Sequence, residues 1–283
     1  MILSDYMVLQ VTNKIIHLSN YYIMYRLKNS LIILILGMLI IGSCKNSSKK
    51  DLSLTAKEYQ KLGMPDHNKI WTNDDYIIAN ITLSSLKLNN PLSFPRKHSQ
   101  KSEALFSRFV NKENLSFVND TSLSLRYRAF QIQHFPRFQS ELSNLYTYNL
   151  KDGQYYYEEL IDTYIFGLII HEKMLELAGK IMNSKEESDI SIQSGLKTVL
   201  YNYLKMIYII LGEQVKSKVY RDKDLDRLSM EVSRSLIDNL EWIEPAVRQK
   251  IAVQMQSVIE KSPSDYIKTN YIKTLKILND ANN

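Results

Sequence analysis

The chain has 283 residues, with 36 Lys and Arg against 30 Asp and Glu, a formal net charge of +6. Residues 1–44 hold Lys14, Arg26, Lys28 and Asp5, so the remainder keeps 33 basic and 29 acidic residues, too evenly mixed for a nucleic-acid surface. The single cysteine, Cys44, rules out an intrachain disulfide and any other thiol nucleophile, which leaves stability to packing.

The first informative stretch is 31–44, LIILILGMLIIGSC, preceded by Arg26 and Lys28. A basic segment, a short apolar run and small residues at a cut site make a secretory signal. The apolar run 31–41 is about 11 residues, whereas a membrane span needs roughly 20. A transmembrane anchor, the competing reading, meets Lys28 and Arg26 on one side and Lys45, Lys49 and Lys50 on the other. Ile41-Gly42-Ser43-Cys44 resembles the lipobox of bacterial lipoproteins: an aliphatic residue, two small ones, then cysteine. The resemblance covers 24–44 only. It implies that Ser43 is the last residue removed and that Cys44 carries diacylglycerol, often with a further chain such as palmitate on its amine. Two or three chains hold a protein on a bilayer where one does so only marginally. Met24 opens a signal of ordinary proportions, so 1–23 reads as a mis-called start. Lys45 stands where an Asp often favours inner-membrane retention in Gram-negative lipoproteins, which points to the outer membrane.

Residues 44–53, with KNSSKK, read as a flexible tether to a helical domain over 54–283. A helix over 54–62 stops at Gly63 and Pro65. Thr72 to Asp75 offer N-cap oxygens to a helix whose spaced residues Tyr76, Ile77, Ile81 and Leu86 predict its buried face. Further helices are expected over 99–110, from Asp120 or Thr121 to Phe135, where Pro136 interrupts, and over 137–148. Residues 155–182 form the longest apolar helix, apolar almost all round at 165–170, and 192–215 returns after the charged turn 183–189. Three helices follow, marked by Leu225 to Leu240, by Pro245 at a first turn, and by Ser262 and Ser264 ahead of the last. The fold class is all-α: an irregular multi-helix bundle or helical-hairpin stack around a long apolar hairpin over about 155–215.

Catalytic signatures are missing. His171-Glu172 begins like a zincin motif, but Leu175 stands where the second ligand belongs. Glu158, Glu159 and Asp162 open a helix, where they complement its dipole. No metal or other cofactor is implied. Three groups remain as candidate ligand surfaces. Arg96, Lys97, His98 and Ser99 precede a helix start that attracts anions, or form an exposed basic loop with Ser99 as cap. Asp66, His67, Trp71, Asp74 and Asp75 crowd one helix start, where Trp71 stacks on a ligand or packs over the helix entrance. Tyr155, Tyr156 and Tyr157 point in three directions from one helix, so one faces outward. Together these features lead to an expected lipid-anchored envelope protein whose helical domain binds another protein or a ligand without catalysis. An envelope-polymer enzyme with a dispersed site is the alternative. A deep pocket of imidazoles and carboxylates would mark the enzyme, and a broad groove or exposed aromatic patch the binder.

Overall fold

The computed structural model describes residues 53–89, 93–150, 156–183, 190–215, 220–262 and 264–281. The lipobox, the tether before Ser53, Tyr155 and the turn at 184–189 lie outside the described residues.

Helix α1 (Ala56–Lys61) begins at a capping box. The Glu58 amide donates to Thr55 Oγ1 at 3.3 Å, and the Thr55 amide donates back to Glu58 Oε2 at 2.7 Å. Gly63, at φ +98°, ends it in a conformation that side chains with a Cβ avoid. Helix α2 (Asn73–Asn89) repeats the device with Thr72 and Asp75, whose carboxylate accepts the Thr72 amide at 2.9 Å. Helix α3 (Glu103–Phe109) starts four residues later than expected: Ser99 forms a preceding turn, accepting the Ser102 and Glu103 amides on its carbonyl. A 3-10 helix (Lys112–Asn119) follows, then α4 (Leu125–Ile132), capped by Ser124. Pro136 does not interrupt a helix. It stands in the first turn of α5 (Phe135–Leu150), where its missing N–H costs nothing. Next come α6 (Tyr157–Asn183), α7 (Ile190–Val215), α8 (Asp222–Asp238), a 3-10 turn (Leu240–Trp242), α9 (Pro245–Lys261) and α10 (Asp265–Asp280). The described residues contain no strand, and the fold is all-α.

Helix α6 is central. It packs against α4, α5, α7 and α8, and every residue from Phe166 to His171 is buried. The α6–α7 pair is not a self-contained core, however. Buried side chains run from Tyr59 to Leu278, and the solvent side of α7 leaves Tyr201 and Ile209 exposed. Much of the remaining core is aromatic. Trp71 meets Tyr76 and Phe109 at ring-centroid distances of 5.4 Å each, and Tyr76 meets Phe135 and Phe138 at 4.5 and 4.6 Å. A second group joins Phe94, Phe106, Tyr146 and Tyr156. Buried Asn114 ties the first group together. Its Oδ1 accepts the Trp71 amide at 2.9 Å, and its Nδ2 donates to the Tyr76 hydroxyl and the Arg108 carbonyl at 2.7 Å. Toward the C-terminal end of α6, Gly179 makes room for Trp242: a Cβ there would lie 2.9 Å from the indole ring.

The expected face of α2 is corrected. Tyr76, Ala79, Leu83 and Leu86 are buried, whereas Ile77 and Ile81 face solvent. The helix is apolar on both sides between Asp75 and Lys87, so spacing alone cannot choose between them.

Candidate functional site

The loop around residues 93–99 folds onto the start of α6. The buried Tyr146 hydroxyl donates to the Pro95 carbonyl at 2.8 Å, and the Lys97 amide donates to Glu159 Oε1 at 2.8 Å. Beyond these bonds, Lys97 Nζ lies 2.7 Å from Asp162 Oδ2, and Asp162 Oδ1 takes Arg227 from α8. Glu158 receives His98 at 2.6 Å and Arg221, which also reaches Asp224 at 2.7 Å. Arg96 stacks over the buried Tyr156 ring at 5.3 Å and Arg221 over Tyr157 at 4.8 Å. Of the candidates read from the sequence, Arg96 and Tyr156 stack on each other, and Lys97 and Tyr157 join the same cluster through Asp162, Glu158 and Arg221. The loop's Lys97 and His98 are engaged by acids of α6, and the tyrosines by arginines.

The electrostatics follow from that arrangement. Burial opposes ionisation of Glu158, but the His98 bond and the charges of Arg221, His98 and Lys97 outweigh it and hold the carboxyl below its ordinary range. Glu159, buried one residue on, is pushed the other way. Desolvation raises its pKa against the Lys97 amide and the Arg96 charge. A carboxyl whose folded pKa lies above its unfolded value of 4.5 adds no penalty while both states are protonated. It destabilises as pH climbs through 4.5 and the unfolded state alone loses its proton. Glu159→Gln is therefore expected to match wild type in acid and to gain on it from about pH 4.5 upward, read as melting temperature against pH. Parallel curves for the two proteins at all pH values would refute this.

Trp71 is separate from that cluster and is not a ligand platform. It is 1% exposed, and its indole N–H donates to the Asp66 carbonyl at 2.9 Å. Asp75 caps α2 and pairs with Lys69 at 2.7 Å. His171 is buried, with Nδ1 at 2.8 Å from the Gly167 carbonyl one turn back, and burial pushes its pKa down. Among the described residues, no group of His, Cys, Asp and Glu is placed to hold a metal ion, and no helix is long and apolar enough to cross a membrane.

An open cavity lies elsewhere. A groove of about 720 Å³ runs between α4, the start of α5, the second half of α6 and the first half of α7. Its walls are Phe130, Ile132, Met174, Leu177, Leu196 and Val199, with Arg126, Gln133, Thr198 and Asn202 as polar members. No imidazole or carboxylate is among the described lining residues, and Arg126 is their one charge. Phe130 is 56% exposed. The chain stands without a match among protein-family models, curated proteins or solved structures. No relative assigns the groove, and its chemistry must speak for it. Sequence reasoning missed it because its walls come from four helices between residues 126 and 202. The one local signal is Gly195 inside α7, a helix-weakening residue on the groove wall.

Proposed function

We propose that this chain is a lipid-anchored protein of the bacterial cell envelope, held through acyl chains on Cys44 at the outer membrane. Its helical domain binds an apolar segment of another envelope protein and performs no catalysis. The anchoring half rests on the lipobox resemblance at 41–44. The observation that carries the binding half is the groove, apolar in its walls, with the well-exposed Phe130 ring among its lining residues. Aromatic residues and arginine dominate the centres of protein interfaces, and a channel between helices suits the apolar face of a partner helix. An enzyme acting on envelope polymers would instead turn carboxylates or imidazoles into such a cleft. Anchoring contributes by confinement, which raises the domain's effective concentration toward membrane neighbours.

Gly195 supplies the test. A Cβ at this position meets nothing within 4 Å, so Gly195→Trp places an indole in the groove without a clash at its root. Tagged, lipidated wild type and variant are recovered from native membranes, and their companions are quantified by mass spectrometry. The expected result is a companion whose recovery drops about tenfold, equivalent to roughly 1.4 kcal/mol of binding, while the melting temperature holds and Gly195→Ala behaves as wild type. Identical companions for all three proteins would overturn the reading.

A further inference from the structure

The outward side of α2 is uncharged for three turns. Ile77, Ile78 and Ile81 are 42%, 44% and 66% exposed, and Ile70 in the preceding turn is exposed as well. Helical positions 77, 78 and 81 fall within about 100° of arc, with 81 between the other two. A solvent-facing helix normally carries charge on this side, and contiguous exposed apolar surface marks a place that something covers.

The position of this face relative to the start of the domain indicates what covers it. Ser53 Oγ donates to the Phe94 carbonyl at 3.3 Å, and the Ala56 amide donates to the Lys101 carbonyl at 3.1 Å, fixing where the chain joins the fold. From there α1, about 9 Å long, leads to Gly63. A Cβ on Gly63 would lie 3.7 Å from Thr82 Oγ1, the residue next to Ile81 and one turn on from Ile78. The isoleucine face thus flanks Gly63, ten residues along the chain from Ser53. Only eight residues lie between Cys44 and Ser53, nine Cα steps with a reach of at most about 30 Å. Whatever surface holds Cys44 is therefore presented to this face at high effective concentration.

We propose that the isoleucine face of α2 lies on the lipid surface that anchors Cys44, as a second and non-covalent membrane contact; this rests on the lipid-anchor reading above. The face orients the domain. Ile77, Ile78 and Ile81 enter the head-group boundary, as the apolar side of an interfacial helix does.

Spin labelling tests it on the full lipidated chain. Cys44 is the only cysteine and the anchor consumes its thiol, so Ile81→Cys and Val253→Cys each give one labelled site. Both positions are well exposed, at 66% and 64%, and neither change disturbs the core. The proteins are reconstituted into phosphatidylethanolamine–phosphatidylglycerol vesicles, floated on a density gradient, and probed for collisions with oxygen and with a water-soluble nickel chelate. The expected result is that both float, that nickel collisions at position 81 fall several-fold below those at 253, and that oxygen collisions rise. Flotation with position 81 as aqueous as 253 overturns the contact and leaves the anchor standing. Protection of position 81 from both agents marks a second copy of the protein on this face and overturns it too. Failure to float defeats the anchor reading, and the contact falls with it.

Discussion

Replacing Trp71 with alanine is expected to remove about 3–5 kcal/mol of stability. The indole is 1% exposed, stands edge-on to Tyr76 and tilted against Phe109, and donates its N–H to the Asp66 carbonyl. Alanine leaves a cavity among these rings and an unsatisfied carbonyl, and neighbours fixed by the Asn114 bonds cannot collapse into the space. Since domains hold only about 5–15 kcal/mol in total, the melting temperature should drop by roughly 6–20 °C, with the urea midpoint following. Trp71→Phe keeps most of the packing and loses the Asp66 bond, so it should fall between the two. A Trp71→Ala change of less than about 0.5 kcal/mol would belong to a surface tryptophan and contradict the burial described here.

The second large effect concerns attachment. Cys44→Ser is expected to abolish incorporation of labelled palmitate, because a serine hydroxyl does not offer the thiol that the lipobox chemistry uses. On the anchor proposed above, two or three acyl chains would contribute about 0.8 kcal/mol per buried methylene, so losing them would change partitioning by many orders of magnitude. Palmitate label is the better readout than membrane fraction, since an uncut apolar run at 31–41 can itself hold the protein on a bilayer. Equal labelling of wild type and variant would show that the cysteine is not the modified residue.

Helix existence was written locally in this chain, in caps such as Thr55 with Glu58 and Thr72 with Asp75, and in the all-round apolar run at 165–170. Which face turns inward was not. In α2 the choice between Tyr76–Ala79–Leu83 and Ile77–Ile81 is made by the aromatic rings of α5, sixty residues away, which Tyr76 meets. The same distance hid the fate of the basic loop. Lys97 and His98 look available in sequence, but Asp162 and Glu158 answer them from α6, and Arg227 completes the pairing from α8. Trp71 was singled out for its chemistry, yet its neighbours Phe109 and Asn114 are distant in the chain and set its role. The groove is the extreme case: Phe130 reads as one more core aromatic until α6 and α7 are placed beside it.

Gly179 leaves room for Trp242, and Trp71 sits among aromatic rings far along the chain, so the two tryptophans occupy unlike surroundings. Ultraviolet emission from the native protein is then a sum of two unequal signals, one from a sealed site and one from a half-covered site. Single-tryptophan versions separate them, giving one spectroscopic gauge beside α2 and one beside Gly179 of α6. Coincident fluorescence traces on heating would mean that the first helices and the last come apart as one cooperative body.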